Sequence, residues 1–207
     1  FKPPDILYLN TVYRVQLMRH PSHSRKGRGA TFDPHNRFAP TFSEAEADGW
    51  WQEALADRIP TSVRDERSRT ALSWNDSPDL GFDRSLNPYR GCEHGCIYCY
   101  ARPTHAFHGL SPGLDFESKL FAKPNAPELL EAELRRPGYI VEPVAIGTNT
   151  DPYQPIEKGR RIMRRILEVL EAYNHPVSIT TKSTLVLRDI DILSPMSNRD
   201  LVTVAFR

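Results

Sequence analysis

The stretch of sequence that decides the fold runs from residue 87 to residue 100 and reads NPYRGCEHGCIYCY. It contains the three cysteines of the 207-residue chain, Cys92, Cys96 and Cys99, in the spacing C-x3-C-x2-C. An odd number of cysteines in so short a segment is not a disulfide framework, and clustered thiols are typical of metal ligands in a reducing compartment. We therefore expect a metal-binding loop and a cytoplasmic location.

The ligand chemistry of this loop favours an iron–sulfur cluster. Three thiolates suit three irons of a cubane, because iron in such clusters binds soft sulfur ligands. Gly91 and Gly95 are expected to let the backbone turn tightly around a bulky group. The sequence has no fourth cysteine, so one iron would keep an open position for chemistry. A zinc site completed by His94, His105 or His108 stays open as an alternative, although structural zinc usually takes two separated ligand pairs, and we expect His105 and His108 on a helix surface.

Beyond residue 81 the predicted elements alternate between strands and helices. The clearest helix is predicted over residues 157–173, where apolar residues recur at intervals of three and four. The predicted strands are Asp83–Pro88, residues 140–146, Val177–Thr181 and Leu201–Phe206, and the other predicted helices are Ala101–Phe107, Pro127–Arg136 with Asn125 as its cap, and Leu187–Leu193. This alternation predicts an α/β fold in which a parallel sheet, covered by helices, curls toward a barrel or half-barrel.

Residues 1–80 differ from the rest and are predicted to be an extension, largely irregular, that wraps a core domain of residues 81–207. Arginines and histidines crowd residues 14–37, which either contact phosphates or form a solvated tail; the tail is favoured because no base-reading motif accompanies the charges. Ser43 and Glu46 form a capping box that predicts one short helix. No apolar run of 18 residues occurs, so we predict no membrane partner. The final strand has no turn after it, which predicts a fragment of a longer protein.

The cysteine spacing, with Tyr98 directly before the last cysteine, resembles the signature of radical S-adenosylmethionine (radical SAM) proteins. The likeness extends to GTNTDPYQPIE at residues 147–157, to TTKS at residues 180–183 and to GRGA at residues 27–30. Together these segments resemble the spore photoproduct lyase branch of bacterial radical SAM proteins. The resemblance covers residues 81–207 well and residues 25–50 loosely.

This resemblance implies a partial (β/α)6 TIM-like barrel, truncated near its fourth strand, with the cysteine loop after the first strand. It implies a [4Fe–4S] cluster held by Cys92, Cys96 and Cys99, with S-adenosylmethionine bound at the open iron. In the family, an external one-electron reductant of the flavodoxin or ferredoxin type drives cleavage of S-adenosylmethionine to a 5′-deoxyadenosyl radical, which abstracts a substrate hydrogen. The relationship suggests nucleic acid as a substrate class and a lyase-like enzyme.

The resemblance also implies further site residues. Tyr98 would lie near the adenine, Thr148, Asn149 and Asp151 would contact the methionine end, and Lys182 would contact cofactor or substrate. Strand ends are where open α/β sheets bind ligands, but ordinary capping by such residues is the alternative. The usual glycine-rich amino-binding motif is present only as GTNT, and later strands are absent, so the chain would be catalytically incomplete. A non-catalytic iron–sulfur electron-transfer protein and a zinc-stabilised nucleic-acid-binding module stay open as other functions.

Overall fold

The computed structural model describes residues 26–41 and 58–206, which form a mixed α/β fold with two sheets. The strands are β1 (Ser62–Asp65), β2 (Ser73–Trp74), β3 (Arg84–Leu86), β4 (Tyr89–Arg90), β5 (Lys119–Ala122), β6 (Val144–Ile146), β7 (Val177–Thr181) and β8 (Val202–Phe206). The α-helices are α1 (Leu114–Ser118), α2 (Ala126–Leu134), α3 (Glu157–Arg160), α4 (Ile162–Ala172) and α5 (Ile190–Ser197), and two 3-10 helices span Arg102–His108 and Thr184–Asp189. In the described part of the chain, no helix has the length and apolar character that crossing a membrane requires.

The larger sheet has five strands in the order β2-β3-β6-β7-β8. Strands β3, β6, β7 and β8 are parallel and neighbour one another in chain order, while β2 pairs antiparallel with β3. The prediction of a parallel sheet interleaved with helices is therefore confirmed, and the strand Val177–Thr181 has the predicted bounds. Residues 140–143 do not join β6; Pro143, just before it, has no backbone N–H to donate to a neighbouring strand.

The smaller sheet was not predicted. Its order is β1-β5-β4, with β1 parallel and β4 antiparallel to β5. Strand β1 is mostly exposed and β4 has two residues, so neither carries the alternation that marks a strand in sequence. Because β1 and β2 both lie inside residues 1–80, the described part of that region contributes two strands to the fold as well as irregular chain.

The apolar face predicted for the long helix lies in the main core. Ile166, Leu167 and Leu170 of α4 are fully buried, together with Ile162 and Met163 at its start. Each such side chain contributes about 1.5–3 kcal/mol through removal from water. The three-and-four spacing therefore identified the buried face correctly.

The same segment is not one helix, which corrects the prediction over residues 157–173. Helix α3 ends and α4 begins at Arg161, whose φ of 53° is left-handed. The carboxylate of Glu157 accepts the backbone N–H of Met163 at 3.1 Å and of Arg164 at 3.4 Å. These N–H groups belong to the first turn of α4 and have no partner within the helix, so the buried Glu157 carboxylate caps α4.

Two further local expectations are corrected. Asn125 precedes α2 but makes no side-chain cap; its amide instead donates to the Ser68 carbonyl at 3.0 Å and accepts the Ser68 N–H at 3.3 Å. The helix predicted over residues 101–107 is a 3-10 helix. The helix predicted over residues 187–193 is the end of a 3-10 helix followed by α5. The capping box at Ser43 and Glu46 lies outside the described residues.

The described part of the arginine-rich arm, residues 26–41, packs against the core domain. Asn36 donates to the Ala106 carbonyl at 2.8 Å, and the rings of Phe38 and Phe107 stack with centroids 5.0 Å apart. Arg37 lies over the Phe38 ring at 4.8 Å. The interpretation as a solvated tail is therefore wrong for residues 26–37, and residues 14–25 of that region lie outside the described residues.

Candidate functional site

Three loops meet at the carboxyl edge of the parallel strands. The cysteine loop comes after β3 and β4, and residues 147–151 follow β6. Thr181 ends β7, and Lys182 follows it. One cleft opens between them, and side chains predicted from the sequence line it: Cys92, Cys96, Cys99, Tyr98, Asn149, Asp151 and Lys182. Residues up to 90 positions apart in sequence thus share one site, at the edge where parallel sheets usually bind ligands.

The cysteine loop turns at its glycines, as predicted. Gly91 and Gly95 have φ values of 73° and 61°, a region that costs other residues energy. Gly91 also faces the Phe116 carbonyl, which a Cβ atom would approach to 2.7 Å. The thiol of Cys92 is buried beneath the loop, whereas Cys96 and Cys99 are partly exposed.

Gln154 holds the start of this loop and was missed by sequence reasoning. Its side chain is fully buried; the amide donates to the Gly91 carbonyl at 3.1 Å and accepts the Glu93 N–H at 3.1 Å. It therefore brackets Cys92 from both sides. The signal available in the sequence was its place in the TDPYQP segment, which pointed to the cleft but not to this contact.

Asn87 ties the next loop to the cysteine loop. Its side-chain oxygen accepts the N–H of Asn149 at 3.0 Å and of Thr150 at 3.3 Å, and its amide donates to the Thr148 hydroxyl at 3.0 Å. The Thr150 hydroxyl in turn donates to the Tyr89 carbonyl at 2.9 Å. The hydroxyl of Thr148 is thus bound by Asn87, while Asn149 lines the cleft.

Asp151 ties together the ends of the two middle strands. One oxygen accepts the Thr181 hydroxyl at 2.7 Å and the Tyr153 N–H at 2.9 Å, and the other accepts the Lys182 N–H at 2.9 Å. Burial raises the pKa of this carboxyl, but the nearby His94 ring and the hydrogen bonds from Lys182, Thr181 and Tyr153 outweigh burial and hold the pKa below its usual value. Asp151 is therefore an ionised anchor at the floor of the cleft.

Lys182 reaches the cysteine loop with its side chain. Its ammonium lies 2.9 Å from the Cys96 sulfur, and this hydrogen bond raises the pKa of Lys182. Burial raises the pKa of the Cys92 thiol to about 12, so this sulfur is protonated at neutral pH. A cation beside Cys96 lowers the electrostatic cost of placing negative charge on that sulfur.

Of the histidines considered as zinc ligands, His94 lines the cleft with the cysteines, whereas His105 and His108 do not. His105 is buried, donates or accepts at 2.8 Å with the Lys119 carbonyl and packs edge-to-face on Phe116, so its expected surface position is wrong. His108 is exposed, as expected. His94 lines the cleft, with Nε2 3.4 Å from Asp151, but that atom makes no hydrogen bond.

Within residues 26–41 and 58–206, no three His, Cys, Asp or Glu side chains are preassembled around a metal-ion position. The three sulfurs on a single loop that faces the cleft are soft ligands, which suit the irons of an iron–sulfur cluster, and with His94 they also suit zinc.

Comparison with known proteins finds relatives with no assigned activity. No family model and no solved structure match the chain. It is 44% identical over 126 residues to uncharacterized proteins of Mycobacterium bovis and Mycobacterium tuberculosis, a match that covers 61% of this chain and 37% of theirs. An uncharacterized protein of Methanocaldococcus jannaschii is 33% identical over 113 residues, which is 55% of this chain and 40% of that protein. The chain therefore shares a region of well under half their length with these bacterial and archaeal relatives.

Proposed function

We propose that this chain is part of a radical SAM protein and that Cys92, Cys96 and Cys99 ligate a [4Fe–4S] cluster. The observation that carries the proposal is the shared cleft: a loop with three thiols faces the ends of two neighbouring parallel strands. Three sulfur ligands leave one iron of a cubane without a protein thiolate. The segments beside the loop, residues 147–151 and 180–182, supply the polar groups that a small charged cofactor requires.

The strand order supports the finer fold in this proposal, a partial (β/α)6 barrel. Strands β3, β6, β7 and β8 follow one another across the sheet without a reversal. In barrels successive strands are neighbours throughout, whereas doubly wound sheets reverse direction at a switch point. The cysteine loop comes after β3, the first strand of this parallel series.

The residues of the chain have separate tasks in this proposal. Gln154 fixes the backbone on both sides of Cys92, and Lys182 places a positive charge beside Cys96. Asp151 keeps the ends of β6 and β7 together, so that Asn149 faces the cleft and can bind the polar end of S-adenosylmethionine. The exposed ring of Tyr98 offers an aromatic face at the rim for the adenine.

When bound, the cluster would supply the electron that cleaves S-adenosylmethionine to a 5′-deoxyadenosyl radical, which abstracts hydrogen from a substrate. An external one-electron reductant of the flavodoxin or ferredoxin type and a substrate related to nucleic acid stay predictions. The match covers 37% and 40% of the length of these relatives, so the substrate of the whole protein also stays a prediction.

The test begins with anaerobic reconstitution of the full chain with iron and sulfide. We expect about four irons and four sulfides per chain, a brown protein, and an electron paramagnetic resonance signal of the reduced cluster that changes when S-adenosylmethionine is added. Release of 5′-deoxyadenosine would show cleavage of the cofactor. Cys92→Ser, Cys96→Ser and Cys99→Ser should each lose the cluster.

Ile97→Ser is the matched control, because Ile97 lies between two ligands and is 79% exposed. It should keep the iron content and the spectrum of the unmodified chain. A colourless protein with one bound zinc would refute the proposal. A cluster whose signal ignores S-adenosylmethionine would indicate electron transfer instead.

A further inference from the structure

The arginine-rich arm contacts a buried carboxylate next to the cysteine loop. Glu117 of α1 is fully buried, and its two oxygens accept the backbone N–H groups of Gly29 and Ala30, each at 2.9 Å. The same carboxylate pairs with the guanidinium of Arg102. A buried charge requires such partners, so the arm and Arg102 together complete the environment of Glu117.

Arg102 links the Glu117 carboxylate to the backbone of Cys96. Its Nη2 and Nε atoms donate to the Cys96 carbonyl at 2.9 and 3.3 Å, and Nη1 donates to the Gly113 carbonyl at 3.1 Å. The planar guanidinium thereby links Glu117 to the peptide group that follows Cys96. Gln154 holds the start of the loop, whereas Arg102 holds its middle.

Glycine is required where the arm meets the loop. A Cβ atom on Gly29 would lie 1.8 Å from the carbonyl oxygen of Gly95, so the two backbones are in direct contact. Arg28 anchors the arm beside this point and donates to the Glu117 carbonyl at 2.5 Å, the Ile59 carbonyl at 2.8 Å and the Thr61 hydroxyl at 2.8 Å.

We propose that Arg28, Gly29, Glu117 and Arg102 form a clamp, here called the arm clamp, that positions the Cys96 half of the loop for ligation. These are positioning residues, since they act through the backbone of the loop. The reason is geometric: the clamp contacts the loop backbone at Gly95 and Cys96, and none of its four residues lines the cleft that Cys96 faces. The role in ligation rests on the proposed function, but the effect on loop mobility does not.

The experiment measures thiol alkylation by iodoacetamide in the metal-free, reduced full chain, with each modified cysteine located by fragment mass spectrometry. Gly29→Ala displaces the arm, and Arg102→Lys keeps a cation beside Glu117 but removes the planar fork on Cys96. We expect both variants to raise the alkylation rate of Cys96 on the order of tenfold, because hydrogen bonds to charged groups shift a local opening equilibrium by at least that factor. After reconstitution, both should also lose iron faster to a chelator.

Gly81→Ala is the control, because a Cβ at Gly81 meets nothing within 4 Å and should leave both rates unchanged. Far-ultraviolet circular dichroism identifies any variant that does not fold, and Arg102→Lys keeps the test decisive if Gly29→Ala is lost. Wild-type alkylation rates in the folded variants, or an equal increase at Cys92 and Cys96, would overturn the clamp. Failure of the unmodified chain to bind iron would refute the proposed function alone, since the alkylation result is obtained without metal.

Discussion

Replacing Gln154 by leucine tests how the cysteine loop is held. The change removes two hydrogen bonds of 3.1 Å and leaves the Gly91 carbonyl and the Glu93 N–H without that partner. Gly91 is buried, so its carbonyl bears the full penalty of about 1–3 kcal/mol, while half-buried Glu93 loses about 1 kcal/mol because water reaches it. Leucine has a similar size and adds little strain. We expect the free energy of unfolding to fall by about 2–4 kcal/mol.

Urea denaturation of the metal-free chain under reducing conditions measures this change. The midpoint should fall with little change in the slope, since the surface exposed on unfolding is the same. Glu142→Leu at an exposed position serves as control and should change the free energy by no more than about 0.5 kcal/mol. If Gln154→Leu lost no more than the control, the loop would be held by other contacts and the reasoning would be refuted.

Three further predictions concern the framework behind the site. Glu157→Gln removes the buried carboxylate that pairs with Arg188 at 2.7 Å and should cost about 1.5–3 kcal/mol in urea denaturation, because Arg188 keeps its pair with Asp189; a loss below about 0.5 kcal/mol would contradict the pairing. Gly147→Ala should lower the free energy of unfolding by at least about 2 kcal/mol more than Gly109→Ala. Both glycines have positive φ, but only at Gly147 would a Cβ lie 2.1 Å from a neighbouring carbonyl. Equal melting temperatures of the two variants would contradict this. Burial lowers the pKa of His175, so the unfolded state binds a proton at His175 more readily than the folded state does. The contribution of His175 to stability is therefore fully present above about pH 6.5 and falls as the pH drops below that value. His175→Gln should reduce this slope without abolishing it, because two other histidines also have lowered pKa values, and an unchanged pH profile would argue against the assignment.

Local sequence patterns predicted the elements that are long or strongly periodic. The strand Val177–Thr181 and the buried face of α4 followed from runs and spacings of apolar residues. The smaller sheet could not be predicted in this way, because β1 and β4 are short and acquire their strand character only by pairing with β5. The break at Arg161 was also hidden, since it depends on a buried carboxylate that approaches α4 from outside its first turn.

The candidate site shows the same difference between what local sequence patterns predict and what tertiary contacts determine. Three cysteines in one short loop determined by themselves which atoms can ligate soft metals, because that chemistry belongs to the residue type and its spacing. Only the tertiary structure decided that Gln154 brackets Cys92, that Lys182 faces Cys96 and that the arm reaches the loop through Glu117. These contacts join residues 61 to 88 positions apart, and no local pattern encodes them. The Gln154 and Lys182 contacts arise where parallel strands bring their carboxyl ends to one edge, and the Glu117 contact arises where the arm packs on α1.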